Sequence, residues 1–223
     1  MVKAASRTVG LGMEDRETPG LYLELRDADP ADEERGRRLR PLPGVRRVTG
    51  WANLVPGRAE LPMKVPDGRQ LVVAEVDAPF TPPGDADGTA VHFRRYPRPA
   101  QGCLTGNPTL GLLVVWISPQ RPDLARSLRD WGDFVHIRHI AAAGVPGYTT
   151  ITVYENATDG DPRYMHFYEM DTHDPEGAYQ LMPRLVEARL GTGTDAYRVW
   201  ADWRQAGSYL VYCNTFRRCW VRE

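Results

Sequence analysis

The residues best suited to chemistry stand close together in the second half of the chain. His136 and His139 lie within four residues of each other, in the stretch from Trp131 to Tyr148. Imidazole changes charge near neutral pH, so a pair beside a buried face suits proton transfer. A third histidine, His166, sits in Arg163–Asp171 between Tyr164 and Tyr168. That segment alternates as a strand does, with Tyr164, His166, Tyr168 and Met170 on one side. Arg163, Met165, Phe167 and Glu169 share the other side, and the pattern does not say which set faces a pocket. One histidine and two tyrosines on one face would suit an aromatic pocket carrying an acid or base.

Helical spacing separates the histidine pair. Leu124, Leu128, Trp131 and Val135 follow the stripe of a buried helix face, and His139 continues it. His139 therefore reads as a core histidine bonded to a backbone carbonyl, or as part of a substrate pocket. His136 falls at the edge of the stripe. Six tryptophans add aromatic surface; Trp116, Trp200 and Trp203 fall on candidate strands and Trp131 on the helix. Most read as core, while some would line a pocket for a flat, apolar ligand.

Other chemistries find less support. His136 and His139 lack an acidic third ligand at a telling spacing, and Cys103, Cys213 and Cys219 show no metal-type CxxC pair, so no metal site is expected. Gly191-Thr-Gly-Thr194 lacks the lysine of a phosphate loop. A formal net charge of -1 argues against nucleic acid as a partner. The arginines from Arg35 to Arg40 follow Asp32, Glu33 and Glu34 and read as a solvated helix face. No apolar run reaches the roughly 18 residues of a membrane span, and the N-terminus lacks a signal-like apolar run. A cytoplasmic protein without membrane partners is the expectation.

The elements that must position these residues follow from periodicity. Strands are expected at Leu21–Arg26, Val45–Val55, Gln70–Val76 and Thr89–Tyr96, with a short helix over Pro30–Leu42. A proline- and glycine-rich stretch, Phe80–Pro108, follows. The order then recurs: strand Leu110–Ser118, helix Pro122–Ala142, strands Tyr148–Tyr154 and Arg163–Asp171, and a helix Asp174–Leu190 that Pro183 should kink or split. Ala196–Trp203 is expected as the fourth strand and Gly207–Thr215 as an extra one. Val72–Asp77 aligns with His166–Asp171, and Pro43-Gly44-Val45 with Pro146-Gly147-Tyr148. The fold class expected is α+β, with tandem ferredoxin-like βαββαβ repeats forming an α/β barrel. Residues 1–19 read as a flexible arm, 20–105 as a degenerate first half and 106–223 as the second half.

Trp131-x4-His136, Gly144-x-Pro-Gly147 and Tyr168-Glu169-x-Asp171 resemble the dimeric α/β-barrel superfamily, and within it the EthD-like branch. The resemblance covers Leu110 to Trp203. It departs at His139, where an acidic residue is common, and at His166, where a small or apolar one is usual. Superfamily members include cofactor-free monooxygenases, polyketide cyclases, lactone isomerases, lyases and haem enzymes, so fold does not settle reaction. The resemblance implies that His136 points toward the cleft between helix and sheet.

The reading that follows is a cofactor-independent enzyme, acting by acid/base chemistry on a small cyclic or aromatic metabolite, as a cyclase, isomerase or lyase. His136 would be the general acid or base, with His166 and Tyr168 orienting or polarising a carbonyl or phenol. Trp116, Trp131, His139, Tyr164 and Trp200 would bind substrate. The alternatives are a cofactor-free or haem-dependent monooxygenase and a non-catalytic small-ligand-binding or assembly protein. A homodimer is expected. The first half has no histidine on its short helix, so the site should occur once per chain.

Overall fold

The computed structural model describes residues 19–202 and 207–223. Residues 1–18 of the expected N-terminal arm, and Trp203, lie outside the described residues. Alternating apolar residues build strands β1 (Gly20–Arg26), β2 (Val45–Asn53), β3 (Gln70–Val76) and β4 (Thr89–Arg95). After the two-residue β5 (Gln101–Gly102) come β6 (Gly111–Pro119), β7 (Tyr148–Asn156), β8 (Tyr164–Met170) and β9 (Ser208–Arg222). Every long strand pairs antiparallel with its neighbours, in the order β4-β1-β3-β2-β9-β6-β8-β7. A β4–β7 pairing closes the ring into an eight-stranded barrel, with β5 appended to β7. Each set of four strands keeps the fourth-first-third-second order of a ferredoxin-like half.

The barrel is filled rather than hollow. One face of every strand turns inward, so Trp51, Trp116, Phe93, Phe167, Tyr212 and Phe216 meet in its lumen. The other face of β6–β9 carries Leu113, Ile151, Val153, Tyr168 and Met170 against the helices. This decides the face that the sequence left open. Tyr164, His166 and Tyr168 turn to the helices, while Met165 and Phe167 turn to the lumen.

Four expectations need correction. Ala196–Trp203 is not a strand: Asp195–Ala201 is helix α5, started by Thr194, whose hydroxyl accepts from the Tyr197 amide. The fourth strand of the second half is β9, running past Thr215 to Arg222, so the expected extra strand is the missing member of the motif. Helix α4 (Pro175–Leu190) continues through Pro183 without splitting. Trp116 is completely buried in the lumen, on the opposite side of the sheet from His166, and takes no part in a site there.

The two halves differ most in their helices. The first keeps only α1 (Glu34–Leu39), and residues 77–88 form no helix. A cleft of about 780 Å³, lined in part by Tyr22, Phe80 and His92, lies beside that loop. The second half carries α2 (Ala125–Trp131), a π-turn (Gly132–His136) and α3 (Ile137–Ala143) as one continuous rod, followed by α4 and α5. Gly144 ends the rod in the left-handed conformation, at φ 65°. No helix of the structure is long and apolar enough to cross a membrane.

Candidate functional site

The π-turn decides which side chains meet the sheet. A π-turn holds one residue more than the α-turn it replaces, so everything beyond it is rotated relative to a straight helix. The buried face therefore runs Leu128, Gly132, Asp133, Ile137 and Ile140 rather than through Trp131, Val135 and His139. His139 is partly exposed and sits near the cationic Arg138 and Arg189, outside the cluster described below. The expectation that it continues the core stripe fails for this reason.

His136 closes the π-turn and is held by aromatic rings. Its imidazole stacks on Trp200 at 5.2 Å and 9°, and lies 4.8 Å from the Trp131 ring. The contact is reciprocal: His136 Nδ1 lies 3.2 Å from the Trp200 carbonyl, and Trp200 Nε1 donates to the His136 carbonyl at 3.1 Å. Trp131 Nε1 donates to the Val199 carbonyl at 2.8 Å, which ties α5 to the same turn. Nδ1 donating to Trp200 would leave Nε2 as the basic nitrogen. Burial holds the His136 imidazole down to about 4, so it is neutral at pH 7.

His166 faces His136 from β8, with ring centroids 6.4 Å apart. It is nearly fully buried, and burial lowers it further, to about 3. Gly132 makes room for it: a Cβ there would stand 3.0 Å from His166 Cε1 and Nε2. Asp133 Oδ1 lies 4.0 Å from His166 Nε2 and has no hydrogen-bond partner. The other oxygen, Oδ2, accepts from Arg98 Nη1 at 2.5 Å. Burial raises the Asp133 carboxyl above its ordinary value.

Arg129, one turn earlier, completes the cluster. Its guanidinium lies 3.4 Å from the Tyr96 ring centroid and 4.1 Å from that of Tyr164. Tyr164 is fixed in turn by donating to the Ala125 carbonyl at 3.1 Å. Burial lowers the Arg129 pKa, but a guanidinium keeps its charge at neutral pH.

The structure thus brings together His136, His166, Trp131, Tyr164 and Trp200 of the expected residues. Tyr168 is on the right face but one pleat away, buried edge-on against Tyr148 at 5.8 Å among the α4 contacts. Sequence reasoning missed Arg129, Asp133, Tyr96 and Arg98. The i, i+4 pair Arg129–Asp133 was visible, but a buried stripe read through Leu128, Trp131 and Val135 left both off the buried face. Arg98 lies inside the proline- and glycine-rich stretch and Tyr96 at the end of an expected strand, and nothing in their spacing ties them to the helix. Of the other matched motif residues, Asp171 accepts from Thr105 and Asn107 at 2.7 and 2.9 Å, and Glu169 accepts from Thr109 at 3.0 Å. Both do structural work.

No family model matches this chain, and no curated protein matches it in sequence. Its fold does recur in solved structures. An anthrone oxidase-like protein superposes with a TM-score of 0.55 at 13% identity, over 91% of each chain. A major regulator of staphylococcal pathogenesis does so at 0.51 and 9% identity, over 89% of this chain and 98% of that one. A haem-degrading enzyme from Listeria monocytogenes gives 0.46 at 10% identity, over 89% and 98%. The first two likenesses establish the barrel fold, and at such identity they establish only that.

Haem can be tested against the residues present. A macrocycle needs a flat slot beside an axial nitrogen. Among the described residues, the helix–sheet space next to His136 is filled by Ile137, Ile140, Val153 and Tyr168, none more than 2% exposed. That packing leaves no slot for a macrocycle beside His136.

Proposed function

We propose that this protein is an enzyme that removes a proton from a small, flat, phenolic or enolisable substrate at the His136–His166 cluster. The observation that carries the reading is the pair of neutral imidazoles, 6.4 Å apart, walled by indoles and set beside a carboxyl and a guanidinium. An imidazole neutral at pH 7 has a lone pair free for a proton; the burial that keeps it neutral also weakens it as a base, and the Asp133 carboxyl beside the pair would offset part of that cost. His136 is the base, through Nε2. His166 and Asp133 orient the ring or take up the proton, and Trp131, Trp200 and Tyr164 form the aromatic wall around it.

The reaction in best accord with this arrangement is cofactor-free oxidation by dioxygen. The substrate carbon loses a proton to His136, and the resulting enolate reacts with dioxygen. A CH₂ group becomes C=O, one oxygen atom entering the product and the other leaving as water. The likeness to an anthrone oxidase-like protein is in keeping with this choice. Proton transfer without oxygen, as in a cyclase, isomerase or lyase, is the second reading, favoured by the same neutral pair. The EthD-like resemblance of Trp131, His136, Gly144 and Gly147 belongs to this proposal.

Oxygen uptake with an anthrone-type phenol, in protein free of added metal or haem, separates the two readings. Uptake equal to substrate loss is expected, and product without uptake would favour the isomerase or lyase. His136→Gln, folded by circular dichroism, should lose at least 100-fold in turnover, in line with general-base contributions of about 10²–10⁴. Full turnover in that variant would remove His136 from the mechanism.

A further inference from the structure

Arg129 has a feature that the proton-transfer reading does not use. The residue is only 4% exposed, yet Nε, Nη1 and Nη2 all lack a hydrogen-bond partner. A guanidinium has five donors, and leaving them unmatched out of water is costly. Its faces lie against the Tyr96 and Tyr164 rings, which satisfy none of these N–H groups. The nearest acids stand off, Asp133 Oδ2 at 4.0 Å and Glu155 Oε2 at 3.8 Å, beyond hydrogen-bond range. Each is also engaged elsewhere: Asp133 accepts from Arg98 at 2.5 Å, and Glu155 from Arg94 Nε at 2.7 Å. A fold under selection for stability alone would close one of these gaps or replace the arginine.

We infer that Arg129 is the anion-recognising group of the site and that the substrate binds as a planar aryl oxyanion, a carboxylate or a phenolate. The planar fork of a guanidinium matches two coplanar oxygens, and the Tyr96, Tyr164 and Trp131 rings suit the aryl part. This inference rests on the reading of the cluster as the ligand site, and it adds the substrate's charge to it. Arg129 fixes the oxyanion while His136 takes the proton, so recognition and chemistry fall to different residues.

The test is binding, followed by the fluorescence of the cluster tryptophans and by thermal melting, with three probes: benzoate, 4-nitrophenolate and the uncharged benzamide. Benzoate or 4-nitrophenolate should shift both signals in the wild-type protein, and the stronger of the two tells carboxylate from phenolate. Benzamide should shift neither. Arg129→Gln should weaken the anion at least tenfold, Arg129→Lys less. Both variants should melt within a few degrees of the wild type, because ring contacts are lost but no hydrogen bond is. If Arg129→Gln fails to fold, Arg129→Lys and the benzoate–benzamide contrast decide. Equal binding of benzoate and benzamide, no binding of either anion, or unchanged affinity in a folded Arg129→Gln protein would each overturn the inference. His136→Gln separates this inference from the proposed function. Anion binding retained while His136→Gln is fully active overturns the proton-transfer role alone. Turnover lost in His136→Gln while Arg129→Gln binds normally overturns the anion role alone.

Discussion

Each half of the barrel presses a helix against its sheet, and each buries charge there, but the two treat that charge in opposite ways. In the first half Arg35 of α1 donates to Glu24 of β1 through Nε at 2.7 Å and Nη2 at 2.6 Å, and Tyr22 donates to the same carboxylate at 2.6 Å. Arg35 reaches Asp85 as well, at 3.1 Å. Both charges of this pair are matched, as in a structural ion pair. In the second half the helix presents Arg129 without a hydrogen bond, Asp133 with one oxygen idle and the His136 imidazole, which faces His166 of β8, both rings held neutral by burial. Duplicated architecture with unequal satisfaction points to where selection has favoured something other than stability.

The sharpest break of this comparison is Arg35→Met, which strands Glu24 in the core. It should cost about 3–5 kcal/mol by urea denaturation, whereas Arg129→Met, which loses its ring contacts but no hydrogen bond, should cost no more than about 1–2 kcal/mol. Equal costs would erase the distinction between a matched and an unmatched interface.

The pH dependence should separate the halves next. His136 and His166 have folded values of about 4 and 3, below the unfolded value near 6.5. Between those limits the unfolded chain binds more protons, so stability falls as pH drops from about 6.5 toward 3, by up to roughly 1.4 kcal/mol per pH unit per histidine. Above pH 7 neither contributes. His166→Gln should flatten the acid limb of a stability–pH curve, and an unchanged limb would show that His166 is not the buried neutral group described.

Glycine substitutions give a smaller contrast. A Cβ at Gly36 would stand 2.6 Å from the buried Trp220 ring, and one at Gly132 would stand 3.0 Å from His166. Gly36→Ala should therefore cost about 1–3 kcal/mol, as overpacking does. Gly132→Ala should stay within about 1 kcal/mol, because alanine's helix propensity offsets the crowding. Its signature should instead be a displaced His166 imidazole resonance by NMR. His139→Ala should do least, within about 0.5 kcal/mol and with turnover unchanged; a larger loss would restore the straight-helix register.

The barrel was legible because its strands obey a period of two over long runs, as in Leu21–Arg26 and Gln70–Val76, and because short segments repeat between halves. Ser208–Arg222 was read as ending at Thr215 because the charged Arg217 and Arg218 interrupt its apolar pattern. The turn from α4 to α5 misled for another reason. Val199-Trp200 reads as strand by propensity, but the Thr194 cap and the fit of Trp200 on His136 outweigh it. Half of the site was legible through His136 and His166, whose types advertise themselves. Arg129 and Asp133 were not, because charged residues beside an apolar helical stripe read as a solvated face.

The π-turn has a consequence on another scale. It amounts to a single residue of surplus helix, and the exposed Phe134 lies at its centre. Loss of one codon there would return the rod to even register, turn the following histidine away from its indoles and leave the barrel's strands intact. A packing helix and a helix that carries the proposed cluster are thus one mutational step apart.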